Sequence, residues 1–270
     1  MAADLLLWDH PVGCYAQKVR IALREKGIPF TFATPKGAGT GDLANMDPAF
    51  AKNNHRVEVP TLVDGDLTIF DSTIILEYLE DKYPDKPLRP ADPAARARAR
   101  MIEDVCDSQY EAINWGMGEV HGYKRAEGEL ARKMTDEAKQ QAGEVQKWLT
   151  EQLGDAEWFG GVSLGWADVC VWPFVNRSTS YGMEPAADSA LGKWFERAKQ
   201  RPSVKSVHEE FVTATATFSS AAAEAIAKGL MRREYRDHRL EWMIKSGGIG
   251  VVKEGLEKNT IRFSWPCARE

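Results

Sequence analysis

The chain has 270 residues, a formal net charge of −5 at pH 7, 43% hydrophobic residues and 28% charged residues. This composition excludes a disordered chain, a collagen and a coiled coil, and at about 100–200 residues per domain the length predicts one large or two ordinary domains. The acidic balance speaks against nucleic acid, whose binders carry a basic stripe, and no apolar run approaches the ~20 residues of a bilayer span.

In chain order, residues 4–8 form a short apolar run that reads as a buried strand. The loop Asp9-His10-Pro11-Val12-Gly13-Cys14 follows. Tyr15 to Lys26 has helical periodicity, with Val19, Ala22 and Leu23 on one face and Lys18, Arg24 and Glu25 on the other; Gly27 stands where a C-terminal glycine belongs. Ile28 to Thr34 reads as a strand. The Gly-rich stretch Lys36 to Asp42 reads as a loop, and without a Gly-Lys-Ser/Thr ending it is no phosphate loop. Val59 to Val63 and Leu67 to Phe70 form a hairpin across Asp64-Gly65, and Asp71-Ser72 opens a helix whose Ile74, Ile75, Tyr78 and Leu79 share a face. The order β-α-β-α-β-β-α predicts an α/β sandwich.

Pro84, Pro87, Pro90 and Pro93 mark a linker, after which the pattern is helical: 94–121, 136–153, 167–181 and 187–201, then an Ala-rich helix from about Phe211. Leu230 to Lys245 is charged and amphipathic, Ser246 to Gly250 is Gly-rich, and a short tail closes the chain. Arg96, Arg98 and Arg100 are balanced by Glu103 and Asp104 and read as a solvated helix face. The cysteines at 14, 106, 170 and 267 form no Cys-x-x-Cys pair, which predicts neither structural zinc nor a disulfide framework, and with no signal-peptide start the expected compartment is the cytosol. His10 and Cys14 lack a third ligand, so no metal site is expected. His121, His208 and His238 have no partner legible from sequence.

Several motifs in order resemble the glutathione transferase superfamily: the first helix Val19 to Gly27, Val59-Pro60 before a hairpin, Asp71-Ser72 at a helix start, Tyr78 to Pro84 at a domain end, Trp166-Ala167-Asp168 and Arg201-Pro202-Ser203-Val204. The likeness spans about residues 4–210. It implies an α+β thioredoxin-like glutathione-binding domain (1–86), a linker (87–93), an all-α helical substrate domain (94–210) and a C-terminal extension (211–270) packed on it. It implies glutathione as co-substrate, a small electrophile, a role in detoxification, a homodimer, and no nucleic acid, membrane or metal. Val59 before a cis Pro60 is expected to pair with the cysteinyl part of glutathione like an added strand. Asp71 is expected to hold the γ-glutamyl ammonium and Ser72 its carboxylate, at a helix N-terminus that favours anions. Arg56 or His55 is expected at the glycyl carboxylate. On the residues alone, Pro60 reads as a trans edge-strand proline and Ser72 as a helix cap.

The catalytic position departs from the family. Counting back from Lys18-Val19-Arg20, the usual Ser or Cys falls on Gly13 and the usual proline on Cys14. Three readings stand: Cys14 as a helix-activated nucleophile, the Tyr15 hydroxyl, or a backbone group as thiolate stabiliser. The electrophile pocket is expected to draw on Val12, Tyr110 and Trp115, with Trp166 and Trp172 as core. Asp168 is read as half of a capping box whose other position is Gly165. Arg232, Arg233, Arg236 and Arg239, set among Glu234, Asp237 and Glu241, mark an added helix expected to cover part of the pocket mouth. The alternative functions are glutathione-dependent reduction or lyase chemistry through Cys14, and a non-enzymatic ligand-binding protein of this fold.

Overall fold

A computed structural model describes residues 5–36, 46–52, 54, 56–229, 235, 237–258, 260 and 261, without the side chains of 217–222 and 238. The expectations for His55, Cys267, Arg232, Arg233, Glu234, Arg236, the His238 side chain and most of the Gly-rich loop lie outside these residues.

Strands β1 (Leu5–Trp8), β2 (Thr31–Ala33), β3 (Thr61–Asp64) and β4 (Leu67–Phe70) form one sheet in the order β2-β1-β3-β4. β1 and β2 are parallel across helix α1 (Cys14–Lys26), while β3 and β4 are antiparallel, so a βαβ unit is followed by a hairpin. Gly27 ends α1 at φ 69°, and its left-handed backbone lets the Ile28 N–H reach back to the Leu23 carbonyl. Gly65, at φ 60°, opens the hairpin loop. Leu5, Leu7 and Leu62 face α1 and helix α3 (Ser72–Lys82), burying Val19, Leu23, Ile75 and Leu79, whereas Leu6 and Val63 point the other way, toward Trp8, Met46 and Phe50 of helix α2 (Pro48–Ala51). This is the period-two alternation of a strand.

The expected division of α1 into an apolar and a solvated face fails. Lys18 and Arg20 are both fully buried. The cause is position: α1 lies between the sheet and the helical half, and near its C-terminal end only Arg24 and Glu25 keep partial exposure. Ile21 and Ala22 join the core of the second half, beside Leu76 of α3.

The rest is helical: α4 (Pro93–Val105), α5 (Glu111–His121), α6 (Gly128–Leu153), α7 (Trp166–Ser180), α8 (Ala190–Lys199), α9 (Pro202–Ala227), α10 (His238–Lys245) and α11 (Ile249–Glu257). The expected single helix 94–121 is interrupted by a π-helical segment, Cys106–Tyr110, which turns the Asp107 carbonyl out to accept the Tyr15 hydroxyl at 2.5 Å. α11 lies where the sequence predicts a glycine-rich loop and tail. One of its glycines serves close approach: a Cβ at Gly255 would meet Ile261 Cγ2 at 2.7 Å. Arg100 is not a solvated arginine, since its guanidinium stacks 3.6 Å from the Trp166 ring and pairs with Glu103. Trp166 and Trp172 are core, as expected, and Cys106 and Cys170 are buried with them. His208 finds Asn176, with Nδ1 and Oδ1 2.9 Å apart, and His121 stacks on Tyr181.

Candidate functional site

Strand register places the predicted binding residues together. Trp8 pairs with Thr61 and Thr61 pairs with Phe70. The next residues outward are Asp9 after β1, Pro60 before β3 and Asp71 after β4, so all stand at one end of the sheet, beside the loop that leads to α1.

The Val59–Pro60 bond is cis. The loop before it is pinned from inside by Asn54, a fully buried residue that sequence reading missed. Its Nδ2 donates to the Glu58 carbonyl at 2.9 Å and to Thr61 Oγ1 at 2.8 Å, and Thr61 Oγ1 donates to the same carbonyl at 2.8 Å. Asp71 holds a positive φ of 78°, a conformation costly for a residue with a Cβ. Its Oδ1 accepts the N–H groups of Thr73 and Ile74 at 3.0 and 3.2 Å, so it caps α3. The buried Ser72 thus stands at the first position of a capped helix, where backbone dipoles favour an anion. Arg56 pairs with Glu58 at 2.7 Å and lies over the Phe70 ring, next to the same end of the sheet.

α1 begins with no side-chain cap and no acidic residue in its first turn. Helical N-termini leave several N–H groups without an intrahelical partner. Before it, the Gly13 N–H donates to the His10 carbonyl at 2.9 Å and Gln17 Nε2 to the Pro11 carbonyl at 2.8 Å, closing a tight turn. A Cβ at Gly13 would lie 3.2 Å from the His10 carbonyl oxygen. His10 is held neutral by burial and by the nearby Arg177 and Arg20, its pKa lowered to about 4. Val12 is half-buried in this turn.

The two side chains read as catalytic candidates both turn inward. Cys14 is 1% exposed, its Sγ 3.6 Å from the Pro173 carbonyl and 3.8 Å from Arg177 Nη1. Burial, with Glu111 nearby, pushes its thiol well above the ordinary range. Dipole activation of a thiolate needs an accessible sulfur, and here desolvation outweighs it. Tyr15 packs edge-on against Phe174 and spends its hydroxyl on Asp107, and burial likewise raises its pKa. Native Cys14 is therefore expected to resist iodoacetamide at pH 8 for hours while reacting at once in urea, which peptide mass spectrometry reads directly.

Of the pocket candidates, Tyr110 is corrected to core. It is fully buried and accepts from Gln146 Nε2 at 2.8 Å, because the π-helical segment rotates it inward. Trp115 is half-buried and meets the Tyr235 ring edge-on at 4.6 Å, so the chain beyond α9 reaches α5.

A buried polar cluster joins the two halves. Lys18 Nζ lies 2.7 Å from both Glu103 Oε1 and Asp107 Oδ2. Glu103 also accepts from Thr73 Oγ1 at 2.7 Å and Trp166 Nε1 at 2.6 Å. Burial would raise the Glu103 carboxyl, but Lys18, Thr73 and Trp166 hold it down to about 2, whereas burial carries Asp107 up to about 6 against the pull of Lys18. Thr73 adjoins Ser72, so the helical half fixes the start of α3. Among the described residues no cluster suits a metal ion, and no helix is long and apolar enough to cross a membrane.

Comparison with known proteins agrees with this architecture. The family model for the glutathione S-transferase N-terminal domain matches residues 7–87, and that for the C-terminal domain matches residues 117–202. Among curated relatives, glutathione S-transferase U28 of Arabidopsis thaliana is 30% identical over 208 residues, covering 73% of this chain and 84% of that protein. U25 of the same plant is 28% identical over 217 residues, covering 76% and 88%. Among solved structures, a rice glutathione S-transferase in complex with glutathione superposes with TM-score 0.64 at 25% identity, covering 82% of this chain and 98% of that one. The Tau class enzyme of mango, Mangifera indica, superposes with TM-score 0.65 at 22% identity, covering 85% and 100%, and shares the fold.

Proposed function

The chain belongs to the glutathione S-transferase family, and from that premise we propose that it binds glutathione at the end of the sheet and directs its thiolate against a small electrophile with an apolar or aromatic body. The observation that carries this reading is the meeting of the cis Val59–Pro60 bond with the strained Asp71 and the buried Ser72 beside the uncapped start of α1. In the proposed complex the Val59 backbone pairs with the cysteinyl unit, Ser72 and the α3 amides take the γ-glutamyl carboxylate, Asp71 faces the ammonium and Arg56 the glycyl carboxylate. Backbone N–H groups at the start of α1 then stabilise the thiolate, since Gly13 has no side chain and Cys14 and Tyr15 turn away. The inward sulfur of Cys14 gives no support to thiol transfer through that residue.

Calorimetric titration with glutathione tests the site. Wild type is expected to bind, and Ser72→Ala to bind at least about tenfold more weakly, because the variant loses a hydrogen bond to a charged group. Failure of the wild type to bind would overturn the reading. Two copies are expected to pair through the exposed Ile74 and Met101, which light scattering would reveal as a doubled mass. The free thiols of Cys14, Cys106 and Cys170 suit a reducing cytosol.

A further inference from the structure

Between the start of α1, α5 and the end of α7 lies a guanidinium that its neighbours engage only loosely. Arg177 of α7 keeps 15% of its side chain exposed. Its Nη1 lies 3.5 Å from Glu111 Oε1 and 3.8 Å from Cys14 Sγ, and its Nε lies 3.4 Å from the Tyr181 hydroxyl. Charge-assisted N–H···O bonds close to about 2.7–2.9 Å. Two other enclosed cations among the described residues reach that range: Lys18 at 2.7 Å from its carboxylates and Lys26 at 2.8 Å from Glu80. Arg177 does not, and its Nη2 has no hydrogen-bond partner among the described residues.

A guanidinium offers a planar fork that fits a carboxylate in two parallel bonds. Glu111 approaches Nη1 alone and offsets part of the charge, so the Nη2 edge stays available to a second acceptor. Aromatic rings lie nearby. Tyr181 is stacked on His121 at 5.0 Å between ring centres, and Trp115 lies one turn beyond Glu111 on the same helix. A flat ring carrying an anionic group matches both these rings and the charge.

The geometry points to Arg177 as the anion-recognising residue of the electrophile pocket, and to carboxylate-bearing aromatic electrophiles as the preferred substrate class. This rests on the proposed placement of glutathione beside the start of α1. With an aryl chloride the glutathione sulfur forms a C–S bond at the carbon that bears chlorine, chloride departs with the bonding pair, and the thiol proton passes to solvent.

The test compares 4-chloro-3-nitrobenzoate with 1-chloro-2,4-dinitrobenzene, each as kcat/KM at saturating glutathione, in wild type, Arg177→Met and Arg177→Lys. The ratio of carboxylate to neutral substrate is expected to fall at least about tenfold in Arg177→Met and by less in Arg177→Lys, which keeps the charge without the fork. If Arg177→Met folds poorly because Glu111 is left uncompensated, the double variant R177M/E111Q removes both charges and the same fall is expected. A ratio within about twofold of wild type in the folded variants overturns the assignment while leaving the transferase reading intact. No glutathione binding and no turnover of either chloride by wild type would overturn both.

Discussion

Asp168→Ala is expected to lower the unfolding free energy by about 4 kcal/mol or more, a large share of the total for a domain of this size. Asp168 is 1% exposed and lies at the start of α7. Its Oδ1 accepts from the Phe159 N–H at 2.9 Å and from Trp194 Nε1 at 2.7 Å, and its Oδ2 accepts from the N–H groups of Gly160 and Gly165 at 3.1 and 2.9 Å. Alanine leaves these donors buried without an acceptor, at about 1–3 kcal/mol for each one that water fails to reach. The loss is also topological: the carboxylate ties the 159–165 loop and α8 to α7, the central buried helix. Asp168→Asn keeps the shape and one oxygen but turns an NH2 group toward N–H donors, so an intermediate loss of about 2 kcal/mol is expected. Urea unfolding followed by tryptophan fluorescence and far-UV circular dichroism measures both. A cost below about 1 kcal/mol for the alanine variant would show that the loop reorganises to supply its own acceptors.

The same site shows what a single sequence discloses and what it withholds. Asp168 was legible as the acidic half of a capping box, but its partner position, Gly165, looked like a gap in the pattern. The structure supplies the reason. A Cβ at Gly165 would lie 3.3 Å from both Gly160 Cα and the Leu88 carbonyl oxygen, where the linker docks and accepts the Trp166 N–H at 2.8 Å. The hydroxyl of a usual cap is absent because two chain segments press against that position.

The strands, the hairpin and α3 were readable for local reasons: period-two and helical alternation, Gly65 at the turn, and Asp71 at the cap. The α1 network was not. A lysine at position 18 looks like a solvated residue to any rule based on one helix, and only the tertiary fold, with α1 and α4 both packed on α7, brings Glu103 of α4 and Asp107 of the π-helical segment to it across more than eighty positions of chain. Tyr110 was misplaced for a related reason. The phase of a helix is counted from its start, and the π-helical segment at Cys106–Tyr110 adds a residue to the turn and shifts that phase. Cys14 was judged on its place at a helix N-terminus, whereas its reactivity is set by Pro173 and Arg177, which no neighbouring residue announces.

Lys18→Met tests that network and has a pH signature of its own. Methionine matches the lysine stem in length, so packing changes little, but the buried Glu103 and the half-buried Asp107 lose their shared counter-charge. Breaking a buried pair from one side costs about 3–5 kcal/mol. In wild type, Glu103 is held down to about 2 in the folded state, below its ordinary value of 4.5. It therefore contributes stability that is present above that ordinary value and is lost as pH falls toward 2. Asp107 has the opposite sign. Its folded value of about 6 lies above the ordinary 3.8, so stability falls as pH rises between them. Without Lys18 both carboxyls shift upward and bind protons more readily when folded. The cost of the substitution is then expected to be greatest near pH 8 and to shrink steadily toward pH 5, as protonation removes the uncompensated charges. A cost from lost packing alone would be flat across that range, and such a flat profile in urea titrations at several pH values would refute the electrostatic account. Because Glu103 also holds Thr73 beside Ser72, glutathione affinity is expected to weaken in the variant most strongly at the same high pH.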